Sequence, residues 1–144
     1  MKHYNLILFD ADGTLTPQRQ GSAGDFSFTL LPNVRSKIQE LHRKDVQLGI
    51  CSNQSISRSL SMIQEQFEWI ARELGISANR IMIARGEHQK PSPVMLQKSM
   101  GLVYASPEET LFVGDAETDM LAADAAGISF QYAAEFFEWG EEWK

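Results

Sequence analysis

Tyr4-Asn5-Leu6-Ile7-Leu8-Phe9-Asp10-Ala11-Asp12-Gly13 is a short apolar run that stops on two acids and a glycine. Its length suits a buried strand, and the Asp-x-Asp-Gly that ends it marks where the chain leaves a sheet. Later stretches repeat the plan. Val46 to Cys51, Ile81-Met82-Ile83, Leu111-Phe112-Val113 (ending at Gly114-Asp115) and Ile128 to Tyr132 read as further buried strands. Helical spacing fills the intervals. Pro32 opens a helix carrying Val34, Ile38 and Leu41 on one stripe. A long helix is predicted from Ser55 to Leu74, with Ile56, Leu60, Ile63, Phe67, Ile70 and Leu74 in phase and Gly75 as its stop. Ser92 to Met100, ended by Gly101, and Thr118 to Ala126, ended by Gly127, complete the set. Ser106-Pro107-Glu108-Glu109 has the form of a one-turn capping box.

Strands alternating with helices predict an α/β fold, a Rossmann-like, doubly wound parallel sheet of about five strands. The irregular segment 15–31 is punctuated by Pro17, Gly21 and Gly24, and the alternation of Phe26-Ser27-Phe28-Thr29-Leu30 predicts a small hairpin within it. In such sheets ligands bind beyond the carboxyl ends of the strands, near the switch point. Asp10 and Asp12, Ser52, and Asp115 all fall at strand ends and so gather at one edge.

The bulk numbers narrow the class. The 144 residues suit a single domain over 1–144, and hydrophobic and charged contents of 43% and 22% exclude a disordered or fibrous chain. No apolar run approaches the ~20 residues of a membrane span, and Leu6 to Phe9 is too short for a signal-peptide core. The single cysteine, Cys51, forms no internal disulfide, and the absence of a Cys/His cluster excludes a zinc site, which points to a reducing cytoplasm. A formal charge of −6 speaks against a surface that coats nucleic acid.

Hydrolysis of a phosphate monoester needs an in-line nucleophile, a proton donor for the leaving oxygen and positive charge around the phosphoryl group. A carboxylate nucleophile repels the dianion, so a divalent cation must lie between them, and magnesium accepts a few carboxylate oxygens and water. Asp10, Asp12 and Asp115 supply the acids. Ser52 and Asn53 offer a hydroxyl and an amide to a phosphoryl oxygen, and Lys90 offers a charge. Backbone N–H groups leading into the 55–74 helix would add donors.

These residues resemble the haloacid dehalogenase superfamily of phosphohydrolases. Asp10-Ala11-Asp12-Gly13-Thr14 is similar to its first motif, Ser52 to its second, Lys90 to its third, and Gly114-Asp115-Ala116-Glu117-Thr118-Asp119 to its fourth. The resemblance implies that Asp10 is the nucleophile and Asp12 the general acid and base. It implies magnesium held by Asp10, the Asp12 carbonyl and Asp115, with Asp119 assisting, and a phosphoryl group gripped by Ser52 and Lys90. Cys51-Ser52-Asn53-Gln54-Ser55 and Lys90-Pro91-Ser92-Pro93-Val94-Met95-Leu96 resemble the small capless branch. That branch includes heptose bisphosphate, histidinol and polynucleotide 3′-phosphatases. Asp12 and Ser52 lie 40 positions apart and Ser52 and Lys90 lie 38, gaps that the hairpin, helices and strands nearly fill, so no cap domain is expected. The chain lacks the zinc-binding cysteine loop of the heptose and histidinol enzymes and has Gln89 where the heptose enzymes carry a basic residue.

Each residue also has a plainer reading. Asp-x-Asp-Gly alone is a good turn, Ser52 alone a helix cap, Lys90 alone a solvated lysine, and Asp119 a favourable charge in a first helical turn. Only their order promotes them together. Arg19, Arg85, His88 and Gln89 are loop residues that could border the mouth, with an ordinary surface place as the plainer reading. Cys51 reads as a buried, inert thiol. The aromatic, acidic segment from Glu135 to Trp143 reads as a terminal stretch that docks its rings on the core, with a partner contact as the minor reading. Function follows from the set: a magnesium-dependent phosphatase acting on a sugar phosphate or similar small metabolite, with a polynucleotide 3′-phosphatase as the alternative. A signalling receiver domain shares the fold, but its acceptor aspartate would end a middle strand, where this chain has Cys51-Ser52. A non-catalytic binding module finds no missing catalytic group to support it.

Overall fold

The structure, a computed structural model, describes residues 3–18 and 26–140. Five strands form one parallel sheet: β1 (Leu6–Phe9), β2 (Gln47–Asn53), β3 (Ile81–Ala84), β4 (Thr110–Gly114) and β5 (Ser129–Tyr132), in the order β3-β2-β1-β4-β5. The helices are α1 (Val34–Arg43), α2 (Leu60–Leu74), α3 (Val94–Val103), α4 (Glu117–Ala126) and the short α5 (Ala133–Phe136). Phe9 lies level with Ile50 on one side and Val113 on the other, so β1 and β4 finish near one level while β2 runs on to Asn53. The order reverses direction at β1, which makes the β1/β4 edge the switch point.

Alternation along the strands divides the core in two. Ile7, Phe9, Ile50 and Val113 face α1 and α2, where Ile38, Ile63, Phe67 and Ile70 meet them. Leu6, Leu8, Cys51 and Phe112 face α3 and α4, against Leu96, Met100 and Ala122. Each of the larger aliphatic and aromatic side chains so buried contributes roughly 1.5–3 kcal/mol. The C-terminal aromatic segment docks as expected over residues 135–140, where Phe137 is buried and stacks on Phe9 and the Trp139 indole donates to the Pro32 carbonyl; its remainder, residues 141–143, lies outside the described residues.

Three local expectations are corrected. Residues 26–30 form no strand; the Thr29 N–H bonds the Ser27 carbonyl, a tight turn that ruins the alternation. Phe26 and Phe28 still share one side, both packing on Trp69, but no partner strand among the described residues pairs with the segment. The rest of that expected hairpin region, residues 19–25, lies outside the described residues. Helix α2 begins at Leu60, not Ser55. Ser59 is extended and accepts from the Met62 N–H as N-cap, while the Arg85 guanidinium draws in the carbonyls of Ser55, Ile56 and Arg58. Ile56 is consequently 77% exposed despite matching the helical stripe. Helix α3 runs through Gly101 to Val103, because the left-handed residue that ends it is Tyr104. The single turn at Pro107–Glu109 and the Gly127 stop are as read from the sequence.

Candidate active site

Asp10 follows β1 directly, and its N–H continues the ladder to the Val113 carbonyl at 2.9 Å. Asp115 leaves β4 beside it, and Asp119 comes from the first turn of α4. Asp10, Asp115 and Asp119 each offer a carboxylate oxygen, and these atoms all lie within 4.8 Å of one another. Two glycines make the approach possible. A Cβ at Gly13, whose φ is +83°, would run into the Asp115 carboxylate, and one at Gly114 would run into that of Asp119.

Lys90 lies in the middle of the acids and is itself buried. Its Nζ donates to Asp10 Oδ1 at 2.9 Å, to Asp119 Oδ1 at 2.6 Å and to the Cys51 carbonyl at 2.8 Å. Burial alone would lower the pKa of the ammonium, but Asp10 and Asp119 together outweigh it and raise it. Asp10 is pushed well above the usual carboxylate range by burial, opposed by Lys90 and reinforced by Asp119 and Asp115. Burial raises Asp115 as well. Two acids share the one ammonium and Asp115 stands beside them without a bond to it, an excess of negative charge that a cation would relieve.

Asn53 does not turn its side chain to the cleft as a free donor. Its Oδ1 accepts from the Lys90 N–H at 2.8 Å and its Nδ2 donates to the Lys90 carbonyl at 3.1 Å, so it clamps the Lys90 backbone. Asp119 Oδ2 likewise accepts from the N–H groups of Asp115 and Ala116, both at 3.1 Å, and shapes the loop after β4. The dipole reading and the acid-cluster reading of Asp119 therefore meet in one residue.

Asp12 has both oxygens engaged. Oδ2 accepts from Gln54 Nε2 at 3.0 Å and pairs with Arg58 Nη1 at 3.2 Å; Oδ1 accepts from Gln66 Nε2 at 3.0 Å. Arg58 Nη1 also donates to Gln54 Oε1 at 2.6 Å. Asp10, Asp12, Asn53, Arg58, Lys90, Asp115 and Asp119 line one cleft of about 360 Å³. Ser52 is not among the residues that line it. It is buried behind the cleft, where its hydroxyl accepts from Gln54 Nε2 at 2.9 Å.

Among the loop residues, Arg85 holds the 55–58 turn from behind instead of bordering the mouth. His88 is exposed beside Glu87, and Arg19 lies outside the described residues. Cys51 is buried as expected, within reach of the Ser99 hydroxyl, and burial pushes its thiol up to about 11. Sequence reasoning missed Gln18, which donates to Asp115 Oδ2 at 2.8 Å, and the set Gln54, Arg58 and Gln66. Gln66 did leave a trace, a polar residue on the stripe of Ile63, Phe67 and Ile70. Arg58 left none.

A sequence model described as haloacid dehalogenase-like hydrolase matches residues 18–133, beginning after Asp10 and Asp12. The chain is 31% identical over 99 residues to the pyrophosphatase PpaX of Anoxybacillus flavithermus, a match covering 65% of this chain and 41% of that protein. It therefore spans well under half the length of the curated relatives it matches. In fold it is similar to a HAD-like phosphatase from Mesorhizobium loti, with a TM-score of 0.74 and 22% identity over 88% of this chain and 70% of the other. It is also similar to the D,D-heptose 1,7-bisphosphate phosphatase of B. bronchiseptica, solved with magnesium and phosphate. There the TM-score is 0.71 and the identity 18%, over 95% of this chain and 87% of the other.

Proposed function

The chain belongs to the haloacid dehalogenase-like hydrolase family, and from that premise we propose that it hydrolyses a phosphate monoester with Asp10 as nucleophile. One observation carries the reading: carboxylate oxygens of Asp10, Asp115 and Asp119 lie within 4.8 Å of one another, with the Lys90 ammonium 2.9 Å from Asp10. The donor set fits magnesium, since it is all oxygen, carries excess negative charge and includes no sulfur or imidazole. Asp10, Asp115 and the Asp12 carbonyl would hold the ion, with Asp119 in support. When bound, it neutralises the repulsion between these acids and a phosphate dianion.

The residues divide the remaining work. Lys90 fixes the Asp10 carboxylate by binding Oδ1 and adds positive charge where the phosphoryl oxygens would lie. A carboxylate oxygen of Asp10 forms a bond to phosphorus as the ester P–O bond breaks, and Asp12 gives its proton to the leaving oxygen. Water then attacks the aspartyl-phosphate, Asp12 takes its proton, and Asp10 and inorganic phosphate are released. Ser52 stands behind Gln54 as support for that side of the cleft.

The substrate we favour is a phosphorylated small metabolite such as a sugar phosphate. The cations among the cleft's described lining residues, Lys90 and Arg58, are both paired with acids, so no basic track is offered to a polynucleotide backbone. The matched relative named pyrophosphatase is named for a small phosphate compound and not for a polynucleotide, which supports the small-molecule side of this choice. The 51–55 and 90–96 motifs support the small capless branch and a single domain. No helix among the described residues is long and apolar enough to cross a membrane, and the buried free thiol of Cys51 suits a reducing cytoplasm.

A screen of sugar phosphates, nucleotides and 3′-phosphorylated oligonucleotides tests the reading. We expect repeated turnover of a sugar phosphate that stops with a chelator and returns with magnesium. Turnover of 3′-phosphorylated oligonucleotides alone would overturn the substrate class, and chelator-resistant turnover the metal scheme. Retention of one phosphoryl group per chain without turnover would indicate a receiver, and no reaction at all a binding module.

A further inference from the structure

Gln66 is a fully buried glutamine on the core face of a helix whose neighbouring inward residues are Ile63, Phe67 and Ile70. An amide in that setting must be hydrogen-bonded to be tolerated. Its Nε2 is directed at Asp12 Oδ1, 3.0 Å away, from outside the set of residues that line the cleft. The other oxygen, Oδ2, is met by Gln54 Nε2, which is buried and off the cleft as Gln66 is, and by Arg58 Nη1, which does line the cleft. The two oxygens of Asp12 thus face different partners, one fixed in the core and one towards the mouth.

We propose that Gln66 is a positioning residue for proton transfer by Asp12: it reserves Oδ1 as an acceptor, so that the proton resides on and leaves from Oδ2. This rests on the phosphatase reading above. An amide N–H donates to Oδ1 whether Asp12 is a carboxylate or a carboxylic acid, provided the acid's hydrogen is on Oδ2. The contact therefore survives both half-reactions and selects the oxygen that reacts. In the first, the Oδ2–H bond breaks and its proton passes to the leaving alkoxide as the ester P–O bond breaks and the Asp10–phosphorus bond forms. In the second, Oδ2 takes a proton from the water that attacks phosphorus, and the Asp10–phosphorus bond breaks. Arg58 and Gln54 yield their places at Oδ2 to the leaving oxygen and then to the water. Without Gln66 the carboxyl can rotate, and its proton is divided between a useful and a useless oxygen.

The test compares leaving groups. The value of kcat/KM covers steps only up to departure of the leaving group, and an alkoxide needs the proton while p-nitrophenolate departs without it. With magnesium present, Gln66→Met should lose about tenfold in kcat/KM for an alkyl phosphate and about threefold or less for p-nitrophenyl phosphate, the range of one lost hydrogen bond. If Gln66→Met does not fold by circular dichroism, Gln66→Asn keeps an amide one methylene short of Asp12 and gives the same comparison. Equal losses for both esters, or none, would overturn the positioning role while the phosphatase reading stands. A wild-type protein inactive on every ester would overturn that reading, and the positioning role with it.

Discussion

Cys51 shows how one residue can adjoin a reactive site and stay out of its chemistry. It precedes Ser52, and its carbonyl accepts from Lys90, yet its thiol lies in the opposite core cluster with Leu96 and Phe112. Burial raises the thiol from 9.0 to about 11. A raised pKa means that the folded state resists ionisation. The stabilisation is whole below pH 9 and is lost as pH climbs from 9 through about 11, by at most about 1.4 kcal/mol per pH unit. Denaturation series of the wild type and Cys51→Ala should therefore run parallel below pH 9 and converge above it. Parallel behaviour up to pH 11 would show that the thiol titrates normally. At this scale Asp10, Asp12, Asp115 and Lys90 were legible because each sits at a strand end or in a loop that follows one, and Asp119, in the first turn of α4, was legible through the motif it shares with Asp115. Ser52 was legible as part of the site but not as buried behind it. Gln66 showed only as a polar break in the apolar stripe of its helix, which marks burial without naming a partner, and Arg58, in a serine-rich turn, looks the same whether it is solvated or holds a carboxylate.

The strands were more legible than the helix ends. A run such as Leu111-Phe112-Val113 has few alternatives, whereas where a helix starts depends on competition for a few carbonyls. At α2 the stripe pointed to Ser55, but Arg85, from the end of β3, bonds the carbonyls of Ser55, Ile56 and Arg58 and leaves Ser59 to cap. No local pattern reveals a guanidinium arriving from 27 residues away. The turn it secures carries Arg58, next to Gln54, to Asp12. Replacing Arg85 by Met should cost about 1–3 kcal/mol, the worth of hydrogen bonds to a charged donor. Amide exchange should quicken across residues 55–60 and stay unchanged in β1 and β4. Unchanged exchange in the turn would mean that the serines hold it without Arg85.

Across the whole molecule, the sheet order β3-β2-β1-β4-β5 brings together groups as far apart in the chain as Asp10, Lys90 and Asp115. The order of elements and the switch-point rule made this gathering readable in advance; the distances and the sharing of Lys90 between two acids required the structure. An excess of buried negative charge is an unfavourable arrangement for stability alone, and it becomes intelligible if the first acid must meet phosphorus. The most direct test is to quench the reaction with acid during turnover of p-nitrophenyl phosphate with magnesium and map the protein by peptide mass spectrometry. Asp12→Asn should slow the water step and let the covalent species accumulate. The account predicts one added phosphoryl group on the peptide holding Asp10, absent from Asp10→Asn, which should not turn over. Continued turnover by Asp10→Asn, or a phosphoryl group mapped to any other residue, would contradict it.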